Sequence, residues 1–181
     1  MNDNYTLKLN RYLDLFELEY DKAVEVLQKK YGEATEDYFN EVSYNNFISG
    51  KNKSPNKGQT SRTDEGLFCH HVDENIYKSI SEPNLAKIQR IPFSSQSKSK
   101  LVYCDLFEHA ILHAIISKET DGNFGKQGLE AHLFRKLKQW YLNLKYPRYG
   151  WWNTCYIKSY LNEHEAEILL IRIARVANGL N

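Results

Sequence analysis

Four of the six histidines in this 181-residue chain fall into two pairs, and the spacing within each pair points to chemistry. His109 and His113 stand four residues apart in the apolar run from Leu106 to Ile116. On an α-helix, four residues advance about 6 Å and turn the side chain only about 40° from its starting direction. Both imidazoles then reach one ion, which is the logic of His-x3-His metal pairs. His70 and His71 are neighbours in the β-type run Leu67-Phe-Cys-His-His-Val72. Successive strand side chains point to opposite faces. One member of this pair is therefore expected to face a metal and the other a substrate beside it. Four histidines buried without a shared purpose would leave several ring nitrogens wanting partners. The spacing favours a divalent-metal site over satisfied core histidines.

The elements that must position these residues follow from the pattern around them. Leu101-Val-Tyr-Cys104 reads as a second β-type run, and 73–97 as a polar insertion with a helical turn or two after Pro83. Asp105 with Glu108 three residues on predicts a capped helix. That helix is apolar around much of its circumference, so it is expected to be buried. The order is strand, loop, strand, helix. Residues 8–48 read as short helices. Leu9, Leu13 and Phe16 share one helix, Val24 and Leu27 a second ending at Gly32, and Thr35 is expected to cap a third carrying Tyr38, Phe39, Val42 and Phe47. Residues 49–66 read as a polar linker, basic through Lys51, Lys53, Lys57 and Arg62, and a solvated loop outweighs an arm touching phosphates. An amphipathic helix over 127–145 stops at Pro147, and an aromatic helix spans 151–161. Asn162 with Glu165 opens a last helix running to about Ala177.

Gly66-Leu-Phe-Cys-His-His-Val-Asp73, followed by Leu101-Val-Tyr-Cys-Asp-Leu-Phe-Glu-His-Ala-Ile-Leu-His113, resembles an HNH endonuclease of the ββα-metal family. It is similar to the branch with a His-His opening and a Glu-His-x3-His helix, over roughly a third of the chain. The resemblance implies an α+β, mostly α fold. A ββα-metal core (67–118) would sit between an N-terminal helical region (1–48) with its linker (49–66) and a C-terminal helical region (119–181), forming one unit. It implies His70 as a metal ligand, His71 as the general base that activates water, and His109 and His113 as further ligands. The implied activity is metal-dependent cleavage of nucleic acid, DNA before RNA, leaving a 5′ phosphate. Nitrogen ligands suit Zn²⁺, Ni²⁺, Co²⁺ or Mn²⁺, and Mg²⁺ if His113 stands aside. The chain departs from the pattern just before the second strand. Lys100 stands where the family has an Asn that stabilises the loop and orients the base. Asp73, two residues after His71, is a candidate auxiliary group, although a strand-end carboxylate is the simpler reading.

Composition bounds the rest. A net charge of +1 excludes a strongly basic coat protein, but it hides an asymmetry. Residues 1–48 hold five basic against ten acidic side chains, and 98–158 ten basic against five acidic. Within that basic stretch Arg135, Lys138 and Arg148 interleave with aromatics and, with Lys100, are the candidate phosphate contacts. The glycines at 122, 125 and 128 lack phosphate-loop spacing and read as punctuation. Glu163-His-Glu-Ala-Glu167 reads as an acidic helix start rather than a metal cluster. His132 has no partner in the sequence. No apolar run is long enough for a bilayer, no secretory leader pattern opens the chain, and three scattered cysteines form no disulfide or CxxC pattern. A reduced cytoplasmic setting without membrane contact is expected. Two non-catalytic alternatives are a helical binding protein with a structural zinc on the same histidines, and an interaction protein with a degenerate nuclease core.

Overall fold

In the computed structural model, which describes residues 3–180, the chain is α+β and mostly helical. Three helices come first: α1 (Asp3–Leu15), α2 (Tyr20–Tyr31) and α3 (Glu41–Ile48). Strand β1 (Phe68–His71), the short α4 (Pro83–Gln89) and strand β2 (Leu101–Cys104) lead into α5 (Leu106–Glu119). Two single turns, α6 (Lys126–Gly128) and α7 (Arg135–Leu137), alternate with π-helical turns over Leu129–Phe134 and Lys138–Leu142. Helices α8 (Gly150–Lys158) and α9 (Glu163–Ala177) close the fold.

The apolar circumference of α5 makes it the axis of the molecule. Asp105 accepts from the Glu108 amide and Glu108 returns the bond to the Asp105 amide, so the predicted capping box forms. From Ala110 to Ile116 only His113 shows appreciable surface, and α1, α2, β2 and α9 pack around the helix. One continuous core therefore joins Leu9 near one end of the chain to Val176 near the other. Truncating a side chain such as Ile111 to alanine would cost about 2–5 kcal/mol. The two strands pair antiparallel, with His70 opposite Val102 and His71 opposite Leu101. This hairpin lays its His70 face on α5, as the strand–strand–helix pattern predicts.

Two local expectations are corrected, and a third segment gains detail. Thr35 does not cap the third helix. Asn40 does, accepting from the Ser43 amide, so that helix starts at Glu41. The segment 49–66 is not a free linker: the Asn40 amide donates to the Asn56 carbonyl, the Gly58 amide donates to the Tyr38 carbonyl, and Arg62 donates to the Tyr31 carbonyl. A side chain at Gly58 would collide with the Asp37 carbonyl, so only glycine allows that approach. The insertion 73–97 also packs: its Ile80, Ala86 and Ile91 form a second small core with Phe39 and Tyr44. A polar average concealed those three apolar anchors.

Candidate metal centre

The end of β1 and one face of α5 meet at the histidines. His70 points toward the helix, with its ring 5.1 Å from that of His109 and 5.3 Å from that of His113. The one-turn spacing brings His109 and His113 to 5.0 Å. One nitrogen from each of the three rings lies within 4.8 Å of the others. Divalent ions are held at about 2.0–2.1 Å by imidazole, so nitrogens this close can share one ion after small rotamer shifts.

The surrounding hydrogen bonds fix which nitrogens face the cluster. His70 Nε2 lies 2.8 Å from the Tyr20 hydroxyl, whose own hydrogen goes to the Val72 carbonyl at 2.8 Å. The hydroxyl must therefore accept from His70, which places the ring proton on Nε2 and a lone pair on Nδ1. That Nδ1 is buried and has no hydrogen-bond partner; the same is true of Nδ1 of His109. His113 Nδ1 donates to the Gly125 carbonyl at 3.0 Å, which turns Nε2 toward the cluster. Backbone carbonyls and hydroxyls that orient imidazoles in this way are the usual outer support of a metal site.

Glu74 completes the group, and sequence reasoning missed it. It follows His71 by one short 3₁₀ turn, and its carboxylate swings back over the histidines. Oε2 lies 3.2 Å from His113 Nε2, and Oε1 lies 3.5 Å from His70 Nδ1. Burial holds His70 down to about 4 and keeps His109 far below the ordinary imidazole range, so both rings are neutral and ready to bind. Burial also pulls His113 down, but the hydrogen bond and charge of Glu74 outweigh it and raise the ring. Glu74, which burial alone would raise, is held low by electrostatic interaction with the facing His70 ring and by its bond to His113. Without a cation, a proton on His113 neutralises the carboxylate.

His71 takes the other face of the strand. Its ring stands edge-on to Tyr38 at 4.4 Å, and its Nε2 lies 3.1 Å from Gln96 Oε1. The Gln96 amide donates to the Ile80 carbonyl, so the oxygen is the end that faces His71. His71 then donates from Nε2 and keeps its lone pair on Nδ1, where it meets the Glu74 backbone amide and lies 4.0 Å from Glu74 Oε1. Burial lowers its pKa, so the ring is neutral near pH 7. Gln96 thus orients the candidate base from four positions before Lys100. Nothing in a serine-rich polar run singled it out, because only its complete burial distinguishes it.

A cleft of about 390 Å³ opens onto His71, Glu74, His109 and His113, with Tyr38 and His132 at its wall. His132 thus has a place that the sequence did not suggest. Two of the three glycines read as punctuation, Gly125 and Gly128, also belong here. A Cβ on Gly125 would strike the His113 carbonyl, and one on Gly128 would sit 2.8 Å from the His113 ring.

The remaining candidates lie farther out. Lys100 donates to Asp73 at 2.9 Å, and Asp73 also accepts from Ser95, so both are engaged at the base of the loop. Arg135, Lys138 and Arg148 are exposed, with Lys138 lying over the Phe134 ring. Much of the neighbouring aromatic tract packs inward: Trp140 and Tyr141 are buried, and Lys136 covers Trp152 at 3.1 Å. Tyr149 is 86% exposed and Trp151 41% exposed. Trp151 meets Phe68, which in turn meets His109. No described helix is long and apolar enough to cross a membrane. No family model matches this chain, and no curated protein or solved structure does so either.

Proposed function

We propose that the protein is a metal-dependent phosphodiesterase that cuts nucleic acid, DNA in the first instance. The observation that carries the reading is the convergence of His70, His109 and His113, with two unpartnered buried nitrogens, beside a separately held neutral histidine on the same cleft. A divalent ion on the three rings would offset charge developing on the scissile phosphate and its leaving oxygen. His71 Nδ1 accepts a proton from water as the oxygen attacks phosphorus and the bond to the 3′ oxygen breaks. Gln96 holds the His71 ring at the wall of the cleft. Exposed Arg135, Lys138 and Arg148 are candidates for the flanking phosphates.

The test is nicking of supercoiled plasmid by purified protein with Mg²⁺, Mn²⁺, Ni²⁺ or Zn²⁺. Cleavage is expected with at least one ion, and His71→Ala should lose it while still binding metal. No cleavage with any of them, or equal rates for wild type and His71→Ala, rules the reading out. A structural metal site is the second reading. It is favoured by the burial of His70 and His113 and by a carboxylate positioned to close the coordination shell. In that case removing the metal unfolds the domain.

A further inference from the structure

Three imidazole nitrogens and a carboxylate converge at the centre. His70 and His113 have committed their ring protons outward, to Tyr20 and to Gly125, and the nitrogens left facing inward are those nearest Glu74. We propose that Glu74 is a fourth, displaceable metal ligand, holding the coordination shell closed at rest and leaving it when an anionic phosphate oxygen takes its place. This rests on the metal-site reading above and adds the group that controls access to the site.

Three features support a ligand role over an ordinary ion pair. Glu74 reaches two ligand rings at once, one with each oxygen. Its placement is built: Oε1 also accepts from the His71 backbone amide at 3.4 Å, which folds the carboxylate back over the strand end. Three imidazoles and one carboxylate form a donor set that suits four-coordinate Zn²⁺ or Co²⁺.

Two features make the carboxylate the removable member. The rings of His70 and His113 are buried, but Glu74 is about one-fifth exposed and lines the cleft. Its anchor outside the cluster is also the weakest of the set, one hydrogen bond at 3.4 Å, where His70 and His113 are held at 2.8 and 3.0 Å. Exchanging carboxylate for phosphate replaces one anionic oxygen by another, so the charge balance of the metal shell is kept. A site closed in this way would bind metal tightly in the absence of substrate and still open to it.

The experiment titrates Co²⁺ into metal-stripped wild type, Glu74→Gln and Glu74→Ala, reading the visible d–d spectrum, with circular dichroism to confirm folding. Wild type should bind one Co²⁺ with the intense bands of a four-coordinate site. The variants should bind about 10–100-fold more weakly, at least the cost of losing a residue that supports a metal site. Inorganic phosphate should perturb the Glu74→Ala spectrum at a lower concentration than it perturbs wild type. Unchanged affinity and spectrum in both variants overturns the ligand role, and equal phosphate sensitivity overturns the displaceable role. A wild type that takes up no Co²⁺ overturns the proposal together with the metal site. Cleavage is scored separately. Glu74-dependent Co²⁺ binding in a protein that cuts no nucleic acid would sink the nuclease reading and leave the fourth ligand standing. Glu74→Asp, which keeps the charge on a shorter stem, should fall between wild type and alanine.

Discussion

Tyr20→Phe isolates one oxygen that the structure makes responsible for the His70 tautomer. Phenylalanine keeps the ring that meets His70 edge-on at 6.2 Å and deletes only the hydroxyl. Two groups then lose a partner, the buried His70 Nε2 proton and the half-buried Val72 carbonyl, each 2.8 Å from the missing oxygen. The buried group costs about 1–3 kcal/mol and the half-buried one about 1, so metal-free protein should lose roughly 2–4 kcal/mol of stability. The second effect falls on the metal. Released from Tyr20, the His70 proton can move to Nδ1, where Glu74 Oε1 at 3.5 Å accepts it, and the ring then shows the cluster a hydrogen instead of a lone pair. Loss of such an orienting partner costs about 10–100-fold in metal affinity. Urea denaturation of metal-stripped protein reads the first effect, and Zn²⁺ competition against a chromophoric chelator reads the second. A variant that loses stability yet keeps Zn²⁺ affinity within twofold would refute the tautomer argument, since Tyr20 would then only fill space. A variant with unchanged stability would refute the hydrogen-bond accounting itself.

Three further outcomes are expected. Gln96→Leu, similar in volume but unable to accept from His71, should lower plasmid cleavage by about 10–100-fold with metal affinity unchanged, in the range of general-base catalysis; equal loss of metal binding would show that Gln96 supports the whole loop instead. Gly128→Ala should weaken Zn²⁺ binding by displacing the His113 ring, even though alanine favours a helix by about 1 kcal/mol, and wild-type affinity would disprove the close approach. Metal-stripped protein should lose stability as pH falls from about 6.5 to 4. His70 is held near 4 in the fold, so the unfolded chain binds its proton first, and this one ring accounts for about 3 kcal/mol that is present above pH 6.5 and lost through pH 4. His71 and His109 act in the same direction and His113 in the opposite one, and a urea midpoint flat across that window would contradict the burial of these rings.

The local signals that survived folding are those carried by a few adjacent residues. The Asp105–Glu108 and Asn162–Glu165 caps, the two β-type runs and the His-x3-His spacing each depend on backbone periodicity over a few residues, and each stands where the pattern put it. The third helix started late because an Asn cap outcompeted Thr35, a choice made by which side chain could reach a free amide. The segment 49–66 reads as a solvated linker and the insertion 73–97 as polar because composition describes an average, although the insertion carries its expected helix after Pro83. One glycine at a close approach and three apolar anchors were enough to hold them.

The sequence by itself determined the histidine pair on α5, the opposite facing of His70 and His71, and the apolar helix that carries the pair, because all three follow from fixed periods of 3.6 and 2. Only the tertiary structure decided which partners set the proton on each ring. Tyr20 comes from 50 positions before His70, Gln96 from 25 after His71, and Gly125 from 12 after His113. Glu74 was close in sequence yet equally hidden, since a surface carboxylate and one turned over a histidine cluster look the same until the chain bends. Periodicity places side chains on a face. Distances of 3 Å between remote residues arise only when the faces are packed together.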